Sequence, residues 1–245
     1  MAIMKVLILG GTREGRDLAT RLTDGGHHVV TSLAGRVSAP ARIAGTVRVG
    51  GFGGVAGLEA YLATEGVQAV VDATHPFAER ISANAAAACH SSGTPLLRIE
   101  RPSWRDHPLA DRWLWVADHD EAARAAAGYE RVLLTVGRQA LEHYRELTGV
   151  VARMVELPEH PLPNTWEVRL DRGPFDIDSE RRLLETTRVT ALVTKDSGGR
   201  LTEPKLRAAA ELDVAVIVIG RSPTPEGVPA VATAEEAITW LREQR

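Results

Sequence analysis

Val6-Leu7-Ile8-Leu9-Gly10-Gly11-Thr12-Arg13-Glu14-Gly15 decides how this chain is read. Four apolar residues run into two glycines, and a helix is expected from about Glu14 to Asp24. A strand that passes through glycine into a helix start suits a phosphate group. Glycine lets backbone N–H groups come close to an anion, and the helix N-terminus adds partial positive charge. The stretch departs from G-x-G-x-x-G because Thr12 stands where the second glycine belongs. The expectation is that the Thr12 hydroxyl donates to a phosphate in its place. A tight βα turn with no ligand is the plain alternative. No Gly-Lys-Ser/Thr follows, so this is not a Walker A loop.

Working outward, short apolar runs alternate with helical stretches. Strands are expected at Val29–Thr31, Val47–Val49, Ala69–Val71 and Leu96–Ile99, with helices at Leu58–Thr64 and Ala78–Ser91. The rhythm breaks over Arg101–Arg112. It restarts with strands at Trp113–Val116, Val132–Val136, Val150–Val155, Ala191–Thr194 and Val214–Ile219, and ends at Val231 with a helix over Ala234–Arg242. Near-continuous apolar strands alternating with helices predict an α/β fold with parallel sheets covered on both faces. Trp115-Val116-Ala117-Asp118 before Glu121-Ala122 is echoed by Ala230-Val231-Ala232-Thr233 before Glu236-Ala237. The echo suggests two similar α/β domains, 1–128 and 129–245. Four prolines between Leu157 and Asp178 argue against a helix or central strand there, and for a flap-like connection.

Ligands of open α/β sheets bind outside the carboxyl ends of strands. There, NAD binders commonly carry Asp or Glu about 20 residues after the first glycine. Here the second strand leads into Thr31-Ser32-Leu33-Ala34-Gly35-Arg36 with no acid, which favours a 2′-phosphate and hence NADPH. Asp72-Ala73-Thr74-His75-Pro76-Phe77 ends the fourth strand, where Thr74 and His75 reach the same edge. In the second half, Gly137-Arg138 follows one strand. Lys195-Asp196-Ser197-Gly198-Gly199-Arg200 follows another and offers cations, a hydroxyl and backbone N–H groups to a carboxylate or phosphate. An ordinary glycine-rich turn is the alternative.

The composition limits the function classes. Hydrophobic residues make up 44 % and charged residues 25 %, which argues against disorder. A net charge of −3 gives no support to nucleic-acid binding. Three of the 29 basic residues are lysines, so arginine is favoured throughout and single arginines carry little weight. The one cysteine, Cys89, builds neither a disulfide nor a Cys-rich metal site, and no H-E-x-x-H occurs, so no metal is expected. The N-terminus lacks the features of a signal peptide and no run spans a membrane, so a cytoplasmic protein without a membrane partner is expected.

Several blocks together resemble the precorrin-6A reductase family of cobalamin biosynthesis. They are Gly10–Gly15, Asp72-Ala73-Thr74-His75-Pro76-Phe77-Ala78, Leu97-Arg98-Ile99-Glu100-Arg101-Pro102-Ser103-Trp104, Thr135-Val136-Gly137-Arg138, Ala152-Arg153-Met154-Val155 and Thr194–Gly199. The resemblance implies two Rossmann-like domains with a cleft between them. It also implies NADPH-dependent reduction of the C18=C19 bond of precorrin-6A, or of its cobalt form. Carried onto this chain, Gly10, Gly11, Thr12, Arg13, Glu14, Gly15, Ser32, Arg36 and Thr74 hold NADPH. His75, Arg138, Lys195, Ser197, Gly198, Gly199 and Arg200 face the polycarboxylate tetrapyrrole. Lys195, Arg200 and His75 are the candidates to deliver a proton to C18. The rivals are an NADP-dependent reductase of another anionic substrate, a cofactor-free tetrapyrrole enzyme of the uroporphyrinogen-III-synthase type, and a non-catalytic nucleotide sensor. A short-chain dehydrogenase is disfavoured because no tyrosine has lysine four residues on.

Overall fold

The computed structural model describes residues 3–35 and 42–244. The chain begins β1 (Lys5–Leu9), α1 (Arg13–Asp24), β2 (His28–Leu33), β3 (Thr46–Val49), α2 (Val55–Glu65), β4 (Ala69–Asp72), α3 (Glu79–Ser92) and β5 (Leu96–Ile99). It continues through β6 (Leu114–Val116), α4 (His119–Ala126), β7 (Val132–Leu134), a 3-10 segment at Arg138–Tyr144, β8 (Val150–Met154), β9 (Glu167–Leu170), α5 (Ile177–Thr187), β10 (Ala191–Lys195), α6 (Pro204–Glu211) and β11 (Ala215–Ile219). It closes with β12 (Ala230–Val231) and α7 (Ala234–Glu243).

Two six-stranded sheets result, ordered β12-β5-β4-β1-β2-β3 and β6-β11-β10-β7-β8-β9. Every ladder among them is parallel. In the first sheet, alternation along β1 sends Val6 and Ile8 to one face, against Leu18, Ala19 and Leu22 of α1 and Ala237 and Leu241 of α7. Leu7 and Leu9 take the other face, with Leu58 and Leu62 of α2 and Ala85 and Ala88 of α3. The buried set on α1 (Gly15, Leu18, Ala19, Leu22) follows helical spacing. The second sheet buries Leu133, Val151, Leu192, Val216 and Val218 against Leu184 of α5 and Leu206 of α6. Trp104, from the segment that broke the sequence rhythm, and Trp113, just after it, join that core.

The expected division at residue 128 is corrected. Residues 1–101 and 222–245 form one compact unit, and 102–221 form the other. The sequence echo marks real equivalents: each copy is a short strand followed by a capped helix. Asp118 accepts from the Glu121 N–H, and Thr233 forms a capping box with Glu236. Each copy sits in the sheet made by the other part of the chain. β6 pairs with β11, and β12 pairs with β5. Of the two edges of each five-stranded core, β12 extends the β5 edge of the first sheet and β6 the β11 edge of the second, a choice that local sequence does not state.

The proline-rich stretch does hold a strand, β9, which lies at a sheet edge and contains none of the four prolines. Helix α5 begins at Ile177, behind the N-cap Asp176 that accepts from the Ser179 N–H.

Candidate functional site

In both sheets the chain reverses its direction of travel at one place. In the first this lies between β1 and β4, and in the second between β7 and β10. Such switch points open a crevice at the carboxyl ends of the strands. The loops there are Gly10–Thr12 with Ala73–His75, and Thr135–Arg138 with Lys195–Arg200. These are the loops that the sequence reading singled out.

In the first unit three glycines have physical reasons. A Cβ on Gly10 would lie 2.7 Å from the Thr31 methyl, and one on Gly15 would lie 3.1 Å from the Ala73 Cβ. Gly11 has φ of 132° and open space where a side chain would stand. Helix α1 thus starts hard against β4, with bare backbone above it. Thr12 is its N-cap. The Thr12 hydroxyl donates to the Ala73 carbonyl at 2.7 Å and accepts from the Gly15 N–H at 3.2 Å. The expectation that this hydroxyl serves a phosphate is therefore corrected. What the turn presents is main chain, since among the described residues no acceptor pairs with the N–H groups of Gly11, Thr12 and Arg13. Arg13 is exposed beside them. Glu14 faces Arg101 at 4.0 Å, with its other carboxylate oxygen buried and unbonded.

Thr74 is also used internally. Its N–H and its hydroxyl both donate to Asp72, at 3.1 and 2.7 Å. The second oxygen of Asp72 takes a 2.7 Å bond from buried Arg98, which also donates to Ser82 at 2.6 Å. This buried ion pair sets the turn that carries His75. The His75 Nδ1 accepts from the Phe77 N–H at 3.2 Å, which leaves the ring proton on Nε2. Ser32 is buried at the end of β2 and accepts from Arg48 of β3 at 3.1 Å. Arg36 lies outside the described residues.

In the second unit Lys195 is half-buried at the end of β10, and its Nζ comes within 4.0 Å of where a Gly137 Cβ would stand. The two loops thus meet at Lys195. Arg138 donates to Glu156 at 3.2 Å and to the Leu157 carbonyl at 3.1 Å. Ser197 is buried and its hydroxyl donates to Thr202 at 3.3 Å, while Gly198 and Gly199 turn the loop with φ of 60° and 82°. Arg200 is exposed. Leu157 and Leu201 are also exposed, the first after β8 and the second after β10. Arg200 is thus exposed, Lys195 is half-buried, Arg138 is paired with the Glu156 carboxylate, and the Ser197 hydroxyl is used within the loop.

Sequence reasoning missed three groups. Asp196 is almost fully buried. It accepts from the Ser103 hydroxyl (2.6 Å), the Trp104 N–H (2.9 Å) and two nitrogens of Arg221 (3.0 Å each), so it ties the first and last residues of this unit beneath Lys195. His119, first residue of α4, has its Nδ1 2.9 Å from the Tyr144 hydroxyl and stacks on His143. Burial, then the positive charges of Lys195 and His143, hold His119 down to about 4, against the pull of Asp118 and Asp120, so it is neutral at pH 7. Arg48 is the third. Their roles depend on partners distant in sequence: Ser32 for Arg48, Ser103 and Trp104 for Asp196, and Tyr144 for His119.

The structure defines a two-unit α/β protein of Rossmann-like topology, with a glycine turn of bare main chain in one unit and a loop carrying Lys195 and Arg200 in the other. The chain belongs to the precorrin-6x reductase CbiJ/CobK family, whose pattern it matches over residues 5–242. It is 44 % identical over 241 residues to the precorrin-6A reductase of Mycobacterium tuberculosis, covering 97 % of each chain. It is 32 % identical to the cobalt-precorrin-6A reductase of Priestia megaterium, covering 98 % of each. A solved structure of CobK precorrin-6A reductase superposes with a TM-score of 0.90 at 41 % identity, covering 99 % of this chain and 97 % of that one. Among the described residues no helix is long and apolar enough to cross a membrane.

Proposed function

We propose that this chain reduces the C18=C19 bond of precorrin-6A to give precorrin-6B, with NADPH as the reductant, in the cytoplasm. The observation that carries the reading is the coincidence of both candidate loops with the two topological switch points. The metal-free substrate is favoured over the cobalt form by the higher identity to the relative named without cobalt.

The turn fits a dinucleotide on its own terms. Its glycines keep the main chain bare, and its N–H groups without a protein acceptor lie at the N-terminus of α1, where a diphosphate is stabilised. When bound, NADPH supplies a hydride, which needs no protein nucleophile. The residues of this chain have two other tasks. Arg138 and Arg200 hold the acetate and propionate carboxylates of the macrocycle, a pairing suited to Arg donors. A proton must also reach C18. Arg200 is a poor donor because a guanidinium does not deprotonate in proteins. Lys195 and His75 remain, and Lys195 is placed first because it stands where the second unit's two loops meet.

The test is an anaerobic assay of the purified protein with precorrin-6A and NADPH, following NADPH absorbance and product mass. Loss of NADPH with a gain of two hydrogens in the macrocycle is the expected result. A folded protein that consumes no NADPH in the presence of precorrin-6A overturns the reading.

A further inference from the structure

Rossmann-type sites distinguish the two dinucleotides at the end of the second strand, where an acid holds a ribose 2′-hydroxyl or an arginine receives a 2′-phosphate. In this chain that position is Ser32, and its neighbour is fixed by the sheet. β2 and β3 pair in parallel with Ser32 in register with Arg48. The Arg48 guanidinium is held there by neutral groups alone. Nη1 donates to the Ser32 hydroxyl oxygen at 3.1 Å and to the Gly50 carbonyl at 2.6 Å, and Nη2 donates to the Gly51 carbonyl at 2.7 Å. Its carbon lies 3.8 Å from the centre of the Phe52 ring, which meets Tyr61 edge-on at 5.1 Å.

Two consequences follow. The cation is rigid, yet no carboxylate among the described residues neutralises it. An arginine has five N–H donors. Three are engaged, so Nε–H and the second Nη2–H keep capacity for an oxygen ligand on the half-exposed side. A fixed, uncompensated fork at the end of β2 suits a phosphomonoester, which carries nearly two negative charges and three acceptor oxygens.

We infer that Arg48 receives the 2′-phosphate of the dinucleotide and sets the preference for NADPH over NADH. This rests on the cofactor reading above and adds the residue that enforces it.

The experiment titrates NADPH and NADH separately, by nicotinamide fluorescence, into the unaltered protein and into Arg48→Met. It repeats both titrations with 2′,5′-ADP and 5′-AMP. A structural role for Arg48 weakens all four ligands together. The inferred role weakens NADPH and 2′,5′-ADP by about 10- to 100-fold, the range of a charge-assisted pair, and leaves NADH and 5′-AMP nearly unchanged. Should Arg48→Met fail to fold, phosphorus NMR of NADPH on the unaltered protein carries the test. The free 2′-phosphate takes its last proton near pH 6, and the bound one is expected to stay dianionic to lower pH. An unaltered protein that prefers NADPH, with its preference kept in Arg48→Met or with no shift of the bound 2′-phosphate, overturns the role of Arg48 alone. An unaltered protein that binds both dinucleotides equally, or neither, overturns the cofactor reading and this inference together.

Discussion

Asp72 and Arg98 are both nearly fully buried, and their 2.7 Å contact lies beneath the turn that carries Thr74 and His75. Removing one partner of such a pair leaves an uncompensated charge in the core, which costs about 3–5 kcal/mol. Arg98→Met is therefore expected to lower the urea midpoint strongly. It should also loosen dinucleotide binding, because Asp72 then loses the cation that orients it towards Thr74. The proposed proton donor and carboxylate anchor behave differently. Lys195→Ala is expected to lower kcat by about 100- to 10,000-fold with little change in stability, the usual size of a lost proton-transfer group. Arg200→Ala, on an exposed side chain, is expected to raise KM for the tetrapyrrole and leave kcat close to normal. Steady-state kinetics separate the two outcomes. Equal effects on kcat and KM in both variants would sink the distinction between proton donor and carboxylate anchor.

The βα turn and the helix caps act at the scale of elements. Gly10→Val pushes carbon into the Thr31 methyl and is expected to cost about 1–3 kcal/mol, the range for overpacking. Chemical denaturation measures it, and the same variant should bind NADPH less well. At the other end of the chain, Glu236 accepts from the N–H groups of Ala232 and Thr233 at 2.8 and 3.0 Å. The bond from Ala232 first, then those from Thr233, hold its carboxyl below the usual carboxylate range. The depressed folded value means that its stabilisation is complete above the unfolded value of about 4.3 and is lost as pH falls through the folded one. Glu236→Gln keeps an acceptor but does not titrate. Its Tm is expected to be lower at pH 7 and to fall less steeply below about pH 4. Parallel acid limbs in the two proteins would remove Glu236 from this account.

The chain leaves its first unit after residue 101 and returns at residue 222, so whole-molecule behaviour depends on where the sixth strand of each sheet comes from. Residues 102–221 contain a full six-stranded sheet, its helices and its own apolar core. As a separate fragment this segment is expected to fold cooperatively, with protected amides in β7, β10 and β11. Residues 1–128 carry β6 and α4 without their partner strand. They lack β12 and α7, whose Ala237 and Leu241 cover Val6 and Ile8. That fragment is expected to expose apolar surface and to aggregate or remain partly unfolded. Hydrogen exchange and circular dichroism on both fragments decide it. A well-folded 1–128 would show that the sheet accepts either closing strand.

Much of this molecule was written locally. Continuous apolar strands such as Val6–Leu9 and Ala69–Val71, the glycines of the first turn and the helical spacing on α1 are short-range features, and they determined a parallel α/β fold with its first turn open to an anion. The loops Asp72–Phe77, Gly137–Arg138 and Lys195–Arg200 were legible for the same reason, since each sits at the end of its own strand. Tertiary structure alone decided the rest. Thr12 reads as a ligand in sequence, but its hydroxyl donates to Ala73 in a distant loop. Arg48 reads as one arginine among 26 until the register of β2 and β3 sets it beside Ser32. The exchange of β6 and β12 is visible only in the pairings β6 with β11 and β12 with β5, because pairing between strands far apart in the chain leaves no local mark. A hydrogen bond or a strand pairing across tens of residues is a property of the folded chain, and no window of sequence contains it.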